Sequence, residues 1–291
     1  MSTALVTGAG GFVGRHLCAR LLADGWDVVG GVRPGATAPP GVQALPVDLT
    51  RPPGGTRRRP AAPGTAARAK DSAADRAATA AVNAVSGLHL VEALPATCRA
   101  VVRLGSSTEY AETAGPMDET TPLRPRGFFG ATKAAGSLLL VAAAQERGIR
   151  SAVLRAFQVY GSGDKPSRFV PAVLDAARTG QVLPLTAPGA RRDWVHVDDV
   201  VEACLRAARA DDLPPGQVLN VGTGVQTANE ELVALAAEVT GHAIRTSVGE
   251  HPGRSWDAAS WVCDPSLARQ LLDWQPSLDL RAGLARTWAA G

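Results

Sequence analysis

The stretch Ala4-Leu5-Val6-Thr7-Gly8-Ala9-Gly10-Gly11-Phe12-Val13-Gly14-Arg15-His16-Leu17 decides how this chain folds. A short apolar run enters glycines at 8, 11 and 14, and a helical pattern follows at once. Glycine suits such a turn because it tolerates positive φ and, lacking Cβ, lets a pyrophosphate approach bare backbone. The helix N-terminus then offers free N–H groups and a partial positive charge. Strand, glycine turn and helix in this order predict a dinucleotide site built on Gly8, Gly11, Phe12, Val13, Gly14 and Arg15.

Outward from this stretch, short apolar runs alternate with longer helical ones, which predicts βαβ units and a parallel sheet. Strands are expected at 3–7, 27–32, 42–47, 100–105 and 151–156, and helices at 12–24, 74–94 and 128–147. After Tyr160 the rhythm loosens, leaving helices at 198–210 and 227–240 and a strand at 218–221. The fold class is therefore α/β: a Rossmann-like doubly wound parallel sheet with a smaller C-terminal substrate lobe. The division falls at 1–160 and 161–291, with some later elements returning to the first core.

Charge is nearly balanced, 30 basic against 27 acidic residues, a net +3. That is too little to argue for nucleic acid or an anionic membrane as partner. Four cysteines, Cys18, Cys98, Cys204 and Cys263, stand far apart with no C-x-x-C pair. They read as reduced thiols, and no metal site is expected. The start shows no apolar signal core, and no stretch looks like the ~20 apolar residues of a membrane span. The expectation is a soluble, cytoplasmic protein. Abundant Ala, Arg, Gly and Pro with scarce lysine suggest a GC-rich bacterial genome.

One segment breaks the pattern. Arg51 to Lys70 reads RPPGGTRRRPAAPGTAARAK, with no apolar residue larger than alanine. A central parallel strand should be a continuous Val/Ile/Leu run. Three readings stay open: a solvated loop peculiar to this protein, a degenerate helix and strand, or a stretch translated in a shifted reading frame.

Further motifs follow in order. They are Gly105-Ser106-Ser107-Thr108-Glu109-Tyr110-Ala111, Leu154-Arg155-Ala156-Phe157-Gln158-Val159-Tyr160-Gly161 and Arg192-Asp193-Trp194-Val195-His196-Val197-Asp198-Asp199, then Asn220-Val221-Gly222-Thr223-Gly224 and Trp274-Gln275-Pro276. With the opening glycine turn, they make the chain resemble the extended short-chain dehydrogenases/reductases, the NAD-dependent epimerase/dehydratase family, from Thr3 to Trp288. The resemblance implies a catalytic Ser/Thr at Ser106, with Ser107 and Thr108 as neighbouring candidates. It also implies a helix asparagine at Asn83, an adenine-contacting Asp48 and a lysine on the nicotinamide ribose at Lys133. Family members often pair through their two long helices, so a homodimer is expected. In place of the family's Tyr-x-x-x-Lys dyad, however, stands Phe129-Gly130-Ala131-Thr132-Lys133. A phenol can hand a proton to a carbonyl oxygen as hydride reaches the carbon. A benzene ring cannot, and such a donor is worth ~10²–10⁴-fold in rate.

The cofactor reading turns on charge. NAD-binding relatives close strand 2 with an acidic residue on the ribose hydroxyls. Here that slot is Val32, followed by Arg33. A guanidinium fork suits a 2′-phosphate, and Arg15 stands one residue past the last fingerprint glycine. This favours NADP(H).

Tyr110 and Tyr160, the only tyrosines, occupy positions where the family has structural ones. The Asp-Glu pair that dehydratases carry after the Ser/Thr is here Ser107-Thr108. What survives is hydride delivery to a ketone already activated. A peri-hydroxy aryl ketone supplies its own proton through an internal O–H···O=C bond, as aromatic polyketides do. The first reading is thus an NADPH-dependent ketoreductase of an angucyclinone-type aromatic ketone in antibiotic biosynthesis. Ser106, Thr108, Phe129 and Arg192 would line its substrate site. A second reading is a nucleotide-sugar epimerase or reductase, for which Arg155, Arg192 and Arg254 would hold the diphosphate. A third is a non-catalytic NADP-binding protein.

Overall fold

A computed structural model describes residues 2–51, 73–186, 189–249 and 260–291. The segment 52–72, which takes in nearly all of the anomalous run, and Arg254 lie outside the described residues. The elements follow in chain order: β1 (Thr3–Thr7), α1 (Phe12–Ala23), β2 (Asp27–Val32), β3 (Gln43–Pro46), α2 (Ala73–Ala80), a π turn (Ala81–Val85), α3 (Ser86–Ala93) and β4 (Ala100–Leu104). After a 3₁₀ turn (Ser107–Glu109) come α4 (Phe128–Glu146), β5 (Arg150–Ala156) and β6 (Gln158–Tyr160). The remainder is α5 (Phe169–Thr179), β7 (Leu183–Leu185), β8 (Arg191–His196), α6 (Val197–Arg209), β9 (Gln217–Val221), β10 (Gln226–Ala228), α7 (Asn229–Thr240), β11 (Thr246–Val248), α8 (Ser266–Leu272) and α9 (Leu280–Ala289).

Parallel strands β1, β2 and β3 make one sheet, and parallel β4, β5 and β9 another. β5 is buried on both faces, as a central parallel strand should be. Among the described residues no strand joins β1 to β4. α6 bridges the two sheets instead: Val201 and Leu205 pack with Val6 and Val28, while Val200 and Ala203 pack with Leu154 and Leu219. Its first turn carries Asp198 and Asp199, matching the helix dipole, and the His196 ring accepts a hydrogen bond from the Asp198 N–H. Helix α6 and strand β9, both past residue 160, thus stand in the same layers as the N-terminal strands. Small sheets β10-β8-β6 and β11-β7, with α5, α7 and α9, enclose a separate core around Trp194 and Leu232.

Two departures from the sequence expectation stand out. The predicted helix 74–94 is interrupted by one π turn at Ala81–Val85, which carries Asn83. Such turns widen a helix locally and are frequent at functional sites. Second, α4 is long and apolar enough to cross a membrane, against the expectation that no stretch would be. It behaves as a core helix: Leu140, Ala143 and Ala144 pack against Val91, Val101 and Ile149.

Candidate active site

The glycine turn forms as its sequence dictates. Gly8 sits at φ +67, the Gly11 N–H donates to the Gly8 carbonyl at 2.8 Å, and Gly11 N-caps α1 with no side-chain cap. Gly14 packs so tightly that any Cβ there would collide with the Gly8 carbonyl. That closeness sets α1 against β1 and leaves its first N–H groups facing the turn. Phe12 and Val13 are half-buried beside it. Arg33, just past β2, is exposed. Arg15 is exposed too, but its guanidinium lies over Gly163 in the loop after β6. Arg15 thus faces the 161–164 loop. Asp48 holds the turn after β3, its Oδ1 accepting from the Thr50 N–H (3.0 Å) and hydroxyl (2.6 Å). Those bonds hold its carboxyl below the usual carboxylate range.

The second half of the site gathers at the C-terminal end of β4. Ser106 N-caps the 3₁₀ turn, and Glu109 reaches back to its N–H at 2.9 Å, a complete capping box. Ser106 Oγ and Thr108 Oγ1 are 2.8 Å apart. Ser107 is different: at 5% exposure it lies under the turn, so its candidacy as a site hydroxyl is withdrawn. α4 begins beside this turn, because the bare Gly130 lies directly against the Thr108 carbonyl. Phe129, one residue earlier, is 53% exposed and carries no proton. Lys133 follows one turn on, mostly buried, and its Nζ donates to the Leu104 carbonyl at 2.7 Å. Burial, with help from Arg103, pushes this ammonium down to about 8. Asn83 reaches the same helix, its Nδ2 donating to Thr132 Oγ1 at 3.1 Å, and Thr132 donates in turn to the Phe129 carbonyl at 2.9 Å.

The structure thus brings Ser106, Thr108, Phe129 and Lys133 together, with Asn83 behind them. Arg192 is half-buried on β8, its Nη1 donating to the Arg191 carbonyl. Neither tyrosine is available as a substitute acid. Tyr110 is fully buried, its hydroxyl donates to Asn220 Oδ1 at 2.7 Å, and burial pushes it up to about 12. Tyr160 is 1% exposed in the second core and pushed higher still by burial. Sequence reasoning missed the half-buried Arg103 and the buried Glu109 beneath the site, and Arg155, expected on a diphosphate, is instead buried with them. Glu109 and Arg155 pair at 3.0 Å, with 0% and 5% of their side chains exposed. The signal was there: charges inside a strand and a turn that otherwise read as core. Among the described residues no group of His, Cys, Asp and Glu could hold a metal, and all four cysteines are free.

Residues 4–222 match the family described as NAD dependent epimerase/dehydratase, so the chain belongs to that family. It is 32% identical over 308 residues to UDP-glucose 4-epimerase of Mycolicibacterium smegmatis, covering 97% of this chain and 96% of that one. It is 32% identical over 316 residues to dTDP-6-deoxy-L-talose 4-dehydrogenase (NAD(P)(+)) of Kitasatospora kifunensis, at 98% and 94% coverage. With dTDP-glucose 4,6-dehydratase of Streptomyces griseus it shares 34% over 179 residues, 60% of this chain and 53% of that one. Among solved structures, MoeE5 in complex with UDP-glucuronic acid and NAD superposes with a TM-score of 0.84 at 28% identity, covering 100% of this chain and 98% of that one. The fold is the family's Rossmann-like α/β fold, and a nicotinamide cofactor with oxidoreductase-type chemistry follows from membership. The Gly8–Gly14 turn fits that cofactor's pyrophosphate on this chain's own geometry, since Gly11 N-caps α1 with no side-chain cap and the first N–H groups of the helix are left for it.

Proposed function

We propose that this protein is an NADPH-dependent ketoreductase whose ketone substrate provides its own proton. Phe129 carries the reading: Ser106, Lys133 and the glycine turn are in place, and the one side chain that moves a proton in the family is a hydrocarbon. When bound, the dinucleotide supplies the hydride. Lys133 binds the nicotinamide ribose and orients it. Ser106, its N–H held by Glu109 and its Oγ in contact with Thr108, donates through that Oγ to the substrate carbonyl and steadies the growing alkoxide. The new alkoxide takes its proton from a hydroxyl beside it on the substrate. A planar aromatic ketone with a peri hydroxyl has that arrangement, and the exposed rings of Phe128 (44%) and Phe129 (53%) offer it an apolar approach. The kinship to a dehydrogenase named for NAD(P)(+) supports redox chemistry with a nicotinamide cofactor. Arg33, next to the Val32 slot where NAD-binding relatives carry a carboxylate, supports use of the phosphorylated cofactor. The test is NADPH consumption on mixing with angucyclinone-type ketones, with NADH as comparator.

A second reading has its own support. The epimerase and dehydratase kinships favour a nucleotide-sugar substrate, as epimerase or reductase. An epimerase must remove a hydroxyl proton on oxidation, and neither Phe129 nor the buried tyrosines can do so. A nucleotide-sugar reductase keeps only the second half of that chemistry, hydride delivery to a carbonyl. Thermal shifts with UDP- and TDP-sugars, set against aromatic ketones, separate the two readings. We further propose that the protein acts as a homodimer through α2–α3 and α4, where Val82, Val85, Leu138 and Leu139 are exposed.

A further inference from the structure

Arg103 is the penultimate residue of β4, a parallel strand where an aliphatic residue is expected, and it is half-buried. A cation drawn from water in this way is held where it is paired and hydrogen-bonded. Space has been made for this one. A Cβ on Gly136 would collide with its guanidinium and with the Asn83 carbonyl, and one on Gly87 would stand 3.2 Å from its Nη1. The guanidinium passes between α4 and the π turn. Its Nη2 donates to the Asn83 carbonyl and, at 3.5 Å, to the Lys133 carbonyl, and its Nε donates to Ser137 Oγ at 3.3 Å. Ser137 Oγ is also 3.1 Å from the Lys133 carbonyl and 3.2 Å from Glu109 Oε1. The same Glu109 oxygen accepts from the Ser106 N–H, and its partner oxygen pairs with Arg155. One buried array thus reaches both site residues.

We propose that Arg103 is a positioning residue of this site, a guanidinium threaded beneath Lys133 that, with Glu109, fixes where the ammonium sits and how readily it keeps its proton. The proposal rests on the reading above only in taking Lys133 as the cation of the reacting site. The groups facing Lys133 are few. β4 gives Arg103, the 3₁₀ turn gives Glu109, β5 gives Arg155 through Glu109, and the π turn gives only neutral Asn83. Arg103 and Glu109 pull oppositely: the guanidinium favours the neutral amine and the carboxylate favours the ammonium. Two cations against one carboxylate behind Lys133 leave the pocket positive, which suits an oxygen that becomes an alkoxide and has no phenol to receive it.

The test needs no substrate. The chain has three lysines, Lys70, Lys133 and Lys165, so protein labelled with ¹³C at lysine Cε gives three resonances to follow against pH. The Lys133 resonance is identified by its loss in Lys133→Met. It should titrate near 8 in the native chain. Arg103→Met should move its midpoint up and Glu109→Gln should move it down, each by about one pH unit. Arg103→Lys, which keeps the charge, should hold it near the native value. A midpoint that stays put in both neutralised variants, or moves the same way in both, overturns the proposal, because a purely structural loss has no reason to reverse sign. If Arg103→Met does not fold, Arg103→Gln and Glu109→Gln decide alone on the same criterion. Absence of ketone turnover would sink the functional reading and leave this titration standing.

Discussion

On the proposed reading Phe129 occupies the place of a proton donor and can donate nothing, so the mechanism follows from what replaces it. Phe129→Tyr restores the family's phenol one turn before Lys133. On a substrate with its own proton source, kcat should stay within a few-fold of native or fall slightly; a hundredfold gain, the scale of an added general acid, would contradict the account. Ser106→Ala removes the carbonyl's donor and should cut kcat by roughly 10²-fold, read by steady-state NADPH oxidation. Lys133→Ala should weaken cofactor binding, read by NADPH fluorescence titration, since only its ribose contact remains as a role. The residue scale was partly legible in advance. Ser106, Phe129 and Lys133 announce themselves by motif register. Ser107 does not reveal its burial, because a turn residue's direction depends on how the 3₁₀ turn docks. Arg15 points to the 161–164 loop, which no local pattern places beside α1.

At the scale of elements, tight backbone contacts position the site. Gly136→Ala should drive a methyl into the Asn83 carbonyl and the Arg103 guanidinium. Overpacking of this kind costs roughly 1–3 kcal/mol, visible as a lowered Tm, and it should displace the π turn. A second tie links α1 to α6. His16 Nδ1 lies 3.5 Å from Asp198 Oδ1, and its Nε2 is 2.8 Å from the Ser162 carbonyl. The Asp198 bond raises His16 above its ordinary 6.5. A raised folded-state value means the stabilisation is full below the unfolded value and fades as pH rises through the folded one. The stability difference between native protein and His16→Asn should therefore be largest near pH 5.5 and shrink by pH 8, measured by urea unfolding. Strands β1, β2 and β5 and helices α1, α4 and α6 were readable because apolar period and glycine punctuation agree there. The π turn was not, since its cause is tertiary: Arg103 and Asn83 meet across β4 and α4. Strands β6, β8 and β10 were missed because three to six residues with mixed polarity carry no clear period.

On the scale of the whole molecule, the sheets β3-β2-β1 and β4-β5-β9, bridged by α6, set the glycine turn at the C-terminal end of β1 and Ser106 at that of β4, with Lys133 of α4 beside it, the usual end for a ligand in an open α/β fold. The fold class was legible from the first seventeen residues and the alternation after them; the choice of substrate was not, because fold does not carry it. Family kinship points to nucleotide sugars, while the altered proton donor points to a ketone that helps itself. The two can be told apart at one atom. A peri-hydroxy aromatic ketone and its O-methyl ether differ only in that proton, and NADPH oxidation can be followed with each at matched occupancy. The account predicts that methylation lowers kcat by ~10²-fold or more, the worth of a positioned proton donor. Equal turnover of ketone and ether would contradict it.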